Sequence, residues 1–176
     1  MTYDLVFVIM TGGASALATL PPEEVGLEAI QSVTDLLLRA GAVIQNTNTV
    51  RKHLCQLKGG KLIKHIQPAL SVTLTLNTAP HDMPWPDMCL PDATTFNDAI
   101  KVLKSHELWE NTPKSIRDYF HKNSSESDEE TIESFEGMNQ KLFFVSDVLK
   151  STEAAAKKAK ELGYSHKKAE NLLRYA

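Results

Sequence analysis

A basic segment that contains a glycine pair is the part of this sequence best suited to binding chemistry. Residues 48–62 contain four cations and two adjacent glycines. These residues are Arg51, Lys52, Lys58, Lys61, Gly59 and Gly60. Arg51, Lys52 and Lys58 lie at i, i+1 and i+7, which predicts one helix that the glycines end where a ligand can approach the backbone closely. Such a cluster favours an anionic ligand.

A glycine-rich turn near the start of the chain provides a second candidate for anion binding. The run Leu5–Met10 is apolar and has the length of a buried strand, and the sequence Thr11-Gly12-Gly13-Ala14-Ser15 follows it at once. A strand that leads into such a turn presents backbone N–H groups to phosphates or carboxylates. We therefore predict that the backbone of residues 12–15 takes part in binding, with a helix beginning at Ser15.

Both features also have ordinary structural explanations. Gly12 and Gly13 can serve only a strand-to-helix turn, and a basic run is most often a solvated helix face. His53 and Cys55 are two residues apart, but a structural zinc site needs about four ligands. His53 is therefore expected on the helix surface or as a satisfied hydrogen-bond partner.

Both segments resemble motifs of one enzyme family. Residues 11–17 resemble the Ser-Gly-Gly-Gly-Ser-Ala-Leu loop of the glycerate 2-kinases of the MOFRL class. Residues 48–60 resemble their Asn-Thr-Val-Arg-Lys-His-Leu-Ser-x-x-Lys-Gly-Gly segment at unbroken spacing, which is the more specific match. Weaker similarity continues through Val72–Leu76 and residues 91–96 to Tyr164, so the resemblance covers most of the chain.

The resemblance implies ATP-dependent phosphoryl transfer to glycerate, with ATP and Mg²⁺ as cofactors. Phosphoryl transfer depends mainly on positioning and charge neutralisation, for which backbone donors and cations are suited. By resemblance, the catalytic residues are Arg51, Lys52 and Lys58. The residues implied for substrate or phosphate binding are Gly12, Gly13, Ala14, Ser15 and Asn48. Asp82 is either a Mg²⁺ ligand or merely a turn residue between two prolines.

The sequence also departs from the family pattern. The family has Ser-Asp-Val-x-Gly-Asp after the second strand and then a Ser-Gly-Pro-Thr turn, whereas this chain has residues 77–82 and then Met83-Pro84-Trp85-Pro86. Ala14 replaces the third loop glycine. An N-terminal lysine segment and a C-terminal domain that closes the cleft have no counterpart in these residues. The alternative to an active kinase is therefore an inactive remnant that binds anions or proteins.

The composition limits the classes of function that fit. A chain of 176 residues with a net charge of -3 and 42% apolar residues is one ordinary domain, and its charge argues against nucleic-acid binding. The N-terminal apolar run has six residues and no basic flank, which fits neither a signal peptide nor a membrane span. Cys55 and Cys89 without a CxxC motif indicate free thiols in a reducing cytoplasm.

The order of predicted elements indicates an α/β protein, a Rossmann-like three-layer sandwich with a mainly parallel sheet. Residues 1–176 are predicted to form a single domain that resembles part of the glycerate kinase N-terminal domain. Within it, residues 123–136 are predicted to form a mobile acidic loop. Such a half-domain should expose apolar surface, which predicts a homodimer or a complementary domain. Helices are expected at 27–39, after Thr94 or Thr95, after Pro113, at 153–162 behind a Ser151 or Thr152 cap, and beyond Tyr164.

Overall fold

The computed structural model describes residues 4–77, 88–124 and 130–165. Within these ranges the chain forms three strands and seven helices. The strands are β1 (Leu5–Met10), β2 (Leu70–Asn77) and β3 (Gln140–Asp147). The helices are α1 (Ala14–Leu17), α2 (Leu27–Arg39), α3 (Ile44–His53), α4 (Lys61–Ile66), α5 (Phe96–Ser105), α6 (Lys114–Asn123) and α7 (Val148–Glu161).

The strands form one parallel sheet in the order β1-β2-β3, which confirms the predicted parallel α/β architecture. Side chains alternate between the two faces of a strand, so one face receives Val8 and Met10 of β1. Met10 packs with Ile63, Met88 and Cys89 in a small apolar cluster beneath the sheet, and Val8 packs against it. The carboxyl end of β1 therefore lies directly above buried structure.

The opposite face of the sheet is apolar and exposed in the part of the chain that the structure describes. In β1, Leu5, Phe7 and Ile9 are exposed, with 63% of Phe7 and 73% of Ile9 accessible to solvent. Phe143 of β3 pairs in register with Leu74, which pairs with Ile9, so the three residues share this face. Parallel sheets are normally covered on both faces, and this one lacks its second layer among the described residues.

The main apolar core lies between helices α2, α3, α5 and α6. Helix α2 has the predicted bounds and buries Ile30, Val33 and Leu37. Thr95 caps α5 in a reciprocal capping box with Asp98, which confirms one of the two predicted caps. Helix α5 buries Phe96, Ala99, Ile100 and Leu103, and α6 buries Ile116 and Phe120 in the same core. This core supports α3, which positions the basic segment.

The basic segment is not one helix, contrary to the sequence-based expectation. Helix α3 ends at His53, and residues 54–60 form a turn before α4 begins at Lys61. Gly59 and Gly60 have φ values of +66° and +78°, and Gly60 precedes α4 as its N-cap rather than ending α3. A Cβ atom at Gly59 would lie 2.4 Å from Cγ2 of Thr131, so close packing as well as φ requires glycine there.

Two other predicted helix starts are corrected. Helix α1 begins at Ala14 rather than Ser15, behind Gly13 with φ +88°. Helix α7 begins at Val148, before the predicted Ser151 or Thr152 cap, because it continues directly from β3. The predicted helix beyond Tyr164 falls almost entirely outside the described residues. No helix among the residues that the structure describes is long and apolar enough to cross a membrane.

Replacement of Gly59 by alanine tests the close packing of the turn. The variant Gly59→Ala should lose about 2–4 kcal/mol of unfolding free energy, because backbone strain and overlap with Thr131 add. Gly41→Ala is the matched control, since Gly41 has φ +69° and open space around its Cβ position. It should lose only about 1 kcal/mol. Urea unfolding followed by circular dichroism measures both, and equal losses would contradict the packing argument.

Candidate functional site

The glycine turn is an exposed stretch of backbone at the carboxyl end of β1. Gly12 and Gly13 are exposed, and Gly13 adopts a left-handed conformation that favours glycine. Among the described residues, the amides of Gly12, Gly13 and Ser15 have no hydrogen-bond acceptor, whereas Ala14 donates to the Thr11 carbonyl at 3.3 Å. Ligands of open parallel sheets collect at this end of the strands. The turn can therefore donate hydrogen bonds to an anion.

Arg51 is hydrogen-bonded to the backbone of the glycine turn. Its Nη2 atom donates to the carbonyl oxygen of Ser15 at 3.1 Å, so helix α3 is tied directly to α1. Burial lowers the pKa of the Arg51 guanidinium, and the nearby Cys55 sulfur opposes that shift. Arg51 is only half-buried, so a guanidinium in this position keeps donors for a ligand that occupies the turn.

Lys58 approaches the same short helix from the turn after α3. Its ammonium donates to the carbonyl oxygen of Ala18 and to Oγ1 of Thr19, both at 2.9 Å, and to Sγ of Cys55 at 3.4 Å. The side chain is 1% exposed, and burial lowers the pKa of its amino group. The structure thus brings Arg51 to Ser15 of the glycine turn and Lys58 to Ala18 and Thr19, which follow α1.

Asn48 precedes Arg51 by three positions and Lys52 by four on α3, so its side chain lies between theirs in direction. Asn48 is buried, and its Oδ1 atom accepts no hydrogen bond from any residue that the structure describes. A buried acceptor without a donor costs about 1–3 kcal/mol. An arrangement of this kind suits an acceptor that a ligand satisfies.

Lys52 points to a different place from Arg51 and Lys58. Its buried ammonium contacts Oδ1 of Asp92, and the other oxygen of Asp92 accepts from Oγ1 of Thr94 at 2.6 Å. Thr131 closes this site by donating to the carbonyl oxygens of Asp92 and Thr94 at 2.9 and 2.7 Å. Lys52 therefore connects α3 to residues 92–94 instead of lying at the glycine turn.

His53 is fully buried, which corrects the expectation of a helix surface and fits the alternative of a satisfied partner. Its Nδ1 lies 2.8 Å from the Thr49 carbonyl oxygen, and its Nε2 lies 3.1 Å from both the Thr94 carbonyl oxygen and Oε2 of Glu130. Cys55 contacts Leu20 and Lys58 instead. His53 and Cys55 thus have separate partners, and no group of three metal-binding side chains occurs among the described residues.

Glu130 joins the acidic segment to the helical core. Its Oε1 accepts from the Phe96 amide at 3.0 Å, at the start of α5, while Oε2 faces His53. Burial acts to raise the pKa of the Glu130 carboxyl, but the hydrogen bonds from His53 and Phe96 and the charges of His53 and Lys61 outweigh it, and the pKa is lowered. Glu130 of the predicted acidic loop therefore contacts α3 and the start of α5, while Thr131 contacts residues 92–94.

Sequence reasoning missed Asp92, Glu130 and Thr131 as partners of the basic segment. Asp92 lay in a stretch noted only for its weaker similarity, and Glu130 was one carboxylate among several in an acidic run. Nothing in the local sequence distinguishes it from its neighbours. Asp82, for which a Mg²⁺ ligand and a turn residue were the two expectations, lies outside the residues that the structure describes.

Comparisons with known proteins match this chain to one family and to part of several enzymes. The family described as Domain of unknown function (DUF4147) matches residues 1–121. The glycerate 2-kinase of Pyrococcus horikoshii is 36% identical over 163 residues, which cover 92% of this chain and 37% of the relative. The D-glycerate 2-kinase of Thermotoga maritima is 35% identical over 172 residues, with the same coverage of both chains.

Comparison with solved structures also matches this chain to part of larger proteins. A crystal structure of a Pyrococcus horikoshii protein superposes with a TM-score of 0.78 at 36% identity. The crystal structure of a Thermotoga maritima glycerate kinase does so with a TM-score of 0.74 at 34% identity. Each alignment covers 92% of this chain and 37% of the solved chain. The present chain therefore spans little more than a third of the length of these relatives.

Replacement of Glu130 by glutamine should make the free energy of unfolding less dependent on pH in the acidic range. Because the folded-state pKa of Glu130 is lowered, its stabilisation is present above the unfolded-state pKa and is lost as the pH falls through the folded-state pKa. We expect Glu130→Gln to cost about 1 kcal/mol at pH 7, since the carboxylate is partly exposed, and less towards pH 3.

Urea unfolding at several pH values between 3 and 7 measures the difference. Glu133→Gln is the matched control, because Glu133 is exposed on the same segment. A constant difference between the wild type and Glu130→Gln across this range would contradict the role of the Glu130 charge.

Proposed function

Because this chain belongs to the DUF4147 family and matches part of several glycerate 2-kinases, we propose that it forms the glycerate-binding part of such a kinase. The glycine turn, Arg51 and Asn48 form the binding site. The reaction is ATP-dependent phosphoryl transfer to a hydroxyl of glycerate. The name of the relatives suggests the substrate, and the geometry around the turn supports an anion of that kind.

The unpartnered Oδ1 of Asn48 is the observation that carries this proposal. Glycerate combines a carboxylate with two hydroxyl groups, so it offers both an anion and hydrogen-bond donors. The exposed amides of the turn and the Arg51 guanidinium suit the carboxylate or a transferred phosphate. A glycerate hydroxyl would give Asn48 the donor that the described residues do not provide.

In this proposal Lys52 and Lys58 do not contact the substrate. They hold the segments that carry the binding site in position. Each is buried and already pairs with protein groups, Lys52 with Asp92 and Lys58 with Ala18, Thr19 and Cys55. Together they fix α3 and α1 relative to residues 92–94. Catalysis of phosphoryl transfer depends largely on such positioning, because the protein supplies little covalent chemistry.

ATP is the proposed phosphoryl donor, and Mg²⁺ would neutralise charge on its phosphates. The described residues do not provide a cluster of carboxylates that fits a metal ion, and Asp82 lies outside them. We therefore assign no step to the metal. The contribution of the described residues is to bind and orient glycerate at the carboxyl end of β1.

The remainder of the catalytic cleft is proposed to come from a complementary domain, on this or on another polypeptide. The chain covers only 37% of the length of the kinases that it matches, and one apolar face of its sheet is bare in the described part. Burial of that face removes Phe7, Ile9 and Phe143 from water, at about 25 cal/mol for each Å² of apolar surface. A second copy of this chain is the alternative occupant.

The substitution Arg51→Ala tests the binding site. It removes a charge-assisted contact and the tie to Ser15, so we expect at least a tenfold loss of glycerate affinity, or about 1.4 kcal/mol or more. Arg39→Ala is the matched control, because Arg39 is exposed at the end of α2. Isothermal titration calorimetry with D-glycerate measures both variants, and equal affinities would contradict the proposed site.

Turnover is measured on the same proteins with ATP, glycerate and the remaining part of a relative such as the Thermotoga maritima kinase. Phosphoglycerate that forms only when both polypeptides are present supports the kinase with a complementary part. Glycerate binding without turnover in either mixture would support the inactive anion-binding module instead. Light scattering on the chain alone distinguishes a homodimer from a monomer.

Replacement of Asn48 by leucine separates ligand binding from stability. Leucine has a similar volume and leaves no unpaired oxygen, so the variant should be as stable as the wild type or more stable. Its glycerate affinity should nevertheless fall about tenfold. Asn46→Leu is the control on the same helix, because Asn46 already bonds to His106 at 3.2 Å. It should lose stability and keep glycerate affinity, and the reverse pattern would exclude Asn48 from the site.

A further inference from the structure

Cys55 lies in a pocket of hydrogen-bond donors. Its Sγ atom accepts from the Leu20 amide and from Nζ of Lys58, each at 3.4 Å, and the side chain is 1% exposed. The sulfur thus accepts from two donors. Such surroundings suit a thiolate, whereas a neutral thiol would also need an acceptor for its S–H proton.

The contacts of Lys58 complement those of Cys55. A lysine ammonium has three protons, and Nζ of Lys58 has three acceptors in the carbonyl oxygen of Ala18, Oγ1 of Thr19 and Sγ of Cys55. In the charged state of Lys58, each of its three protons therefore has an acceptor. A charged, buried lysine requires a nearby counter-charge, and Cys55 is the ionisable group in direct contact with it.

We propose that Cys55 and Lys58 form a buried thiolate–ammonium pair that positions residues 18–20 behind the glycine turn. Cys55 holds the Leu20 amide directly and, through Lys58, the carbonyl of Ala18 and the hydroxyl of Thr19. It is a positioning residue for the proposed glycerate site, and that part of the inference rests on the proposed function. The ion pair itself does not.

The electrostatic surroundings support this assignment. Burial acts to raise the pKa of the Cys55 thiol, but the Lys58 charge and the backbone amides outweigh it, and the pKa is lowered. Arg51 is the second cation that interacts with the sulfur, and the Cys55 charge in turn favours the charged form of both Arg51 and Lys58. The negative charge of the Cys55 thiolate neutralises that of Lys58. Arg51 therefore remains available to an anionic substrate.

Ultraviolet absorbance at 240 nm detects the thiolate without requiring access to the buried sulfur. Native wild-type protein at pH 7 should show the absorbance of one thiolate more than Cys55→Ser. The excess should disappear on acidification and on unfolding in urea at pH 7, because an unfolded cysteine has a pKa of about 8.5. Cys89→Ser should keep the excess, and so should Lys58→Arg, which preserves the charge. Lys58→Met should lose most of it.

Hydrogen exchange at the Leu20 amide tests the positioning. Its protection should fall about tenfold in Cys55→Ser, the loss expected for a charge-assisted hydrogen bond, and should be unchanged in Cys89→Ser. Equal absorbance in the wild type and Cys55→Ser at pH 7 would overturn the ion pair. Unchanged Leu20 protection would overturn the positioning role. If Lys58→Met does not fold, the wild type, Cys55→Ser and Lys58→Arg decide the question.

Calorimetry on the same samples keeps this inference separate from the proposed function. Glycerate affinity should fall about tenfold in Cys55→Ser, because the turn loses part of its support. A wild type that shows the thiolate signal and Leu20 protection but binds no glycerate would reject the proposed site and leave the ion pair standing. Full glycerate affinity in Cys55→Ser would reject the role of the pair in binding.

Discussion

The need to pair buried charges is the constraint on which this structure depends. A buried lysine or histidine without hydrogen-bond partners is unfavourable, and Lys52, His53 and Lys58 of the basic segment each contact a group from a distant part of the chain. Lys58 contacts residues 18–19, Lys52 contacts Asp92, and His53 contacts Glu130. Three separate segments are thereby held against α3 and the turn that follows it.

Much of the fold was predictable because it follows from local patterns. An unbroken apolar run gives β1, the i, i+3, i+7 spacing gives α2, and a threonine with an aspartate three residues later gives the cap of α5. The turn at residues 54–60 was missed for a physical reason. Its conformation depends on contact with Thr131 and Phe135, which lie seventy or more residues away and leave no signature in the local sequence.

The candidate site was predictable in part. The family resemblance implies that the glycine turn and the basic segment belong to one site, and Arg51 does contact Ser15 of the turn. Which segment each cation contacts was not predictable. Neighbouring helix positions differ by about 100° in direction, and the local sequence does not say which direction is buried. Lys52 and Arg51 are adjacent in sequence, yet only Arg51 contacts α1.

The bare face of the sheet has a consequence for how the protein is made. Two edge strands, β1 and β3, carry Ile9 and Phe143 beside open backbone edges in the described sheet, which is the arrangement that favours pairing between identical chains. Any state that leaves this surface uncovered at high concentration is prone to self-association. A surface that covers this face during folding would remove that route to self-association.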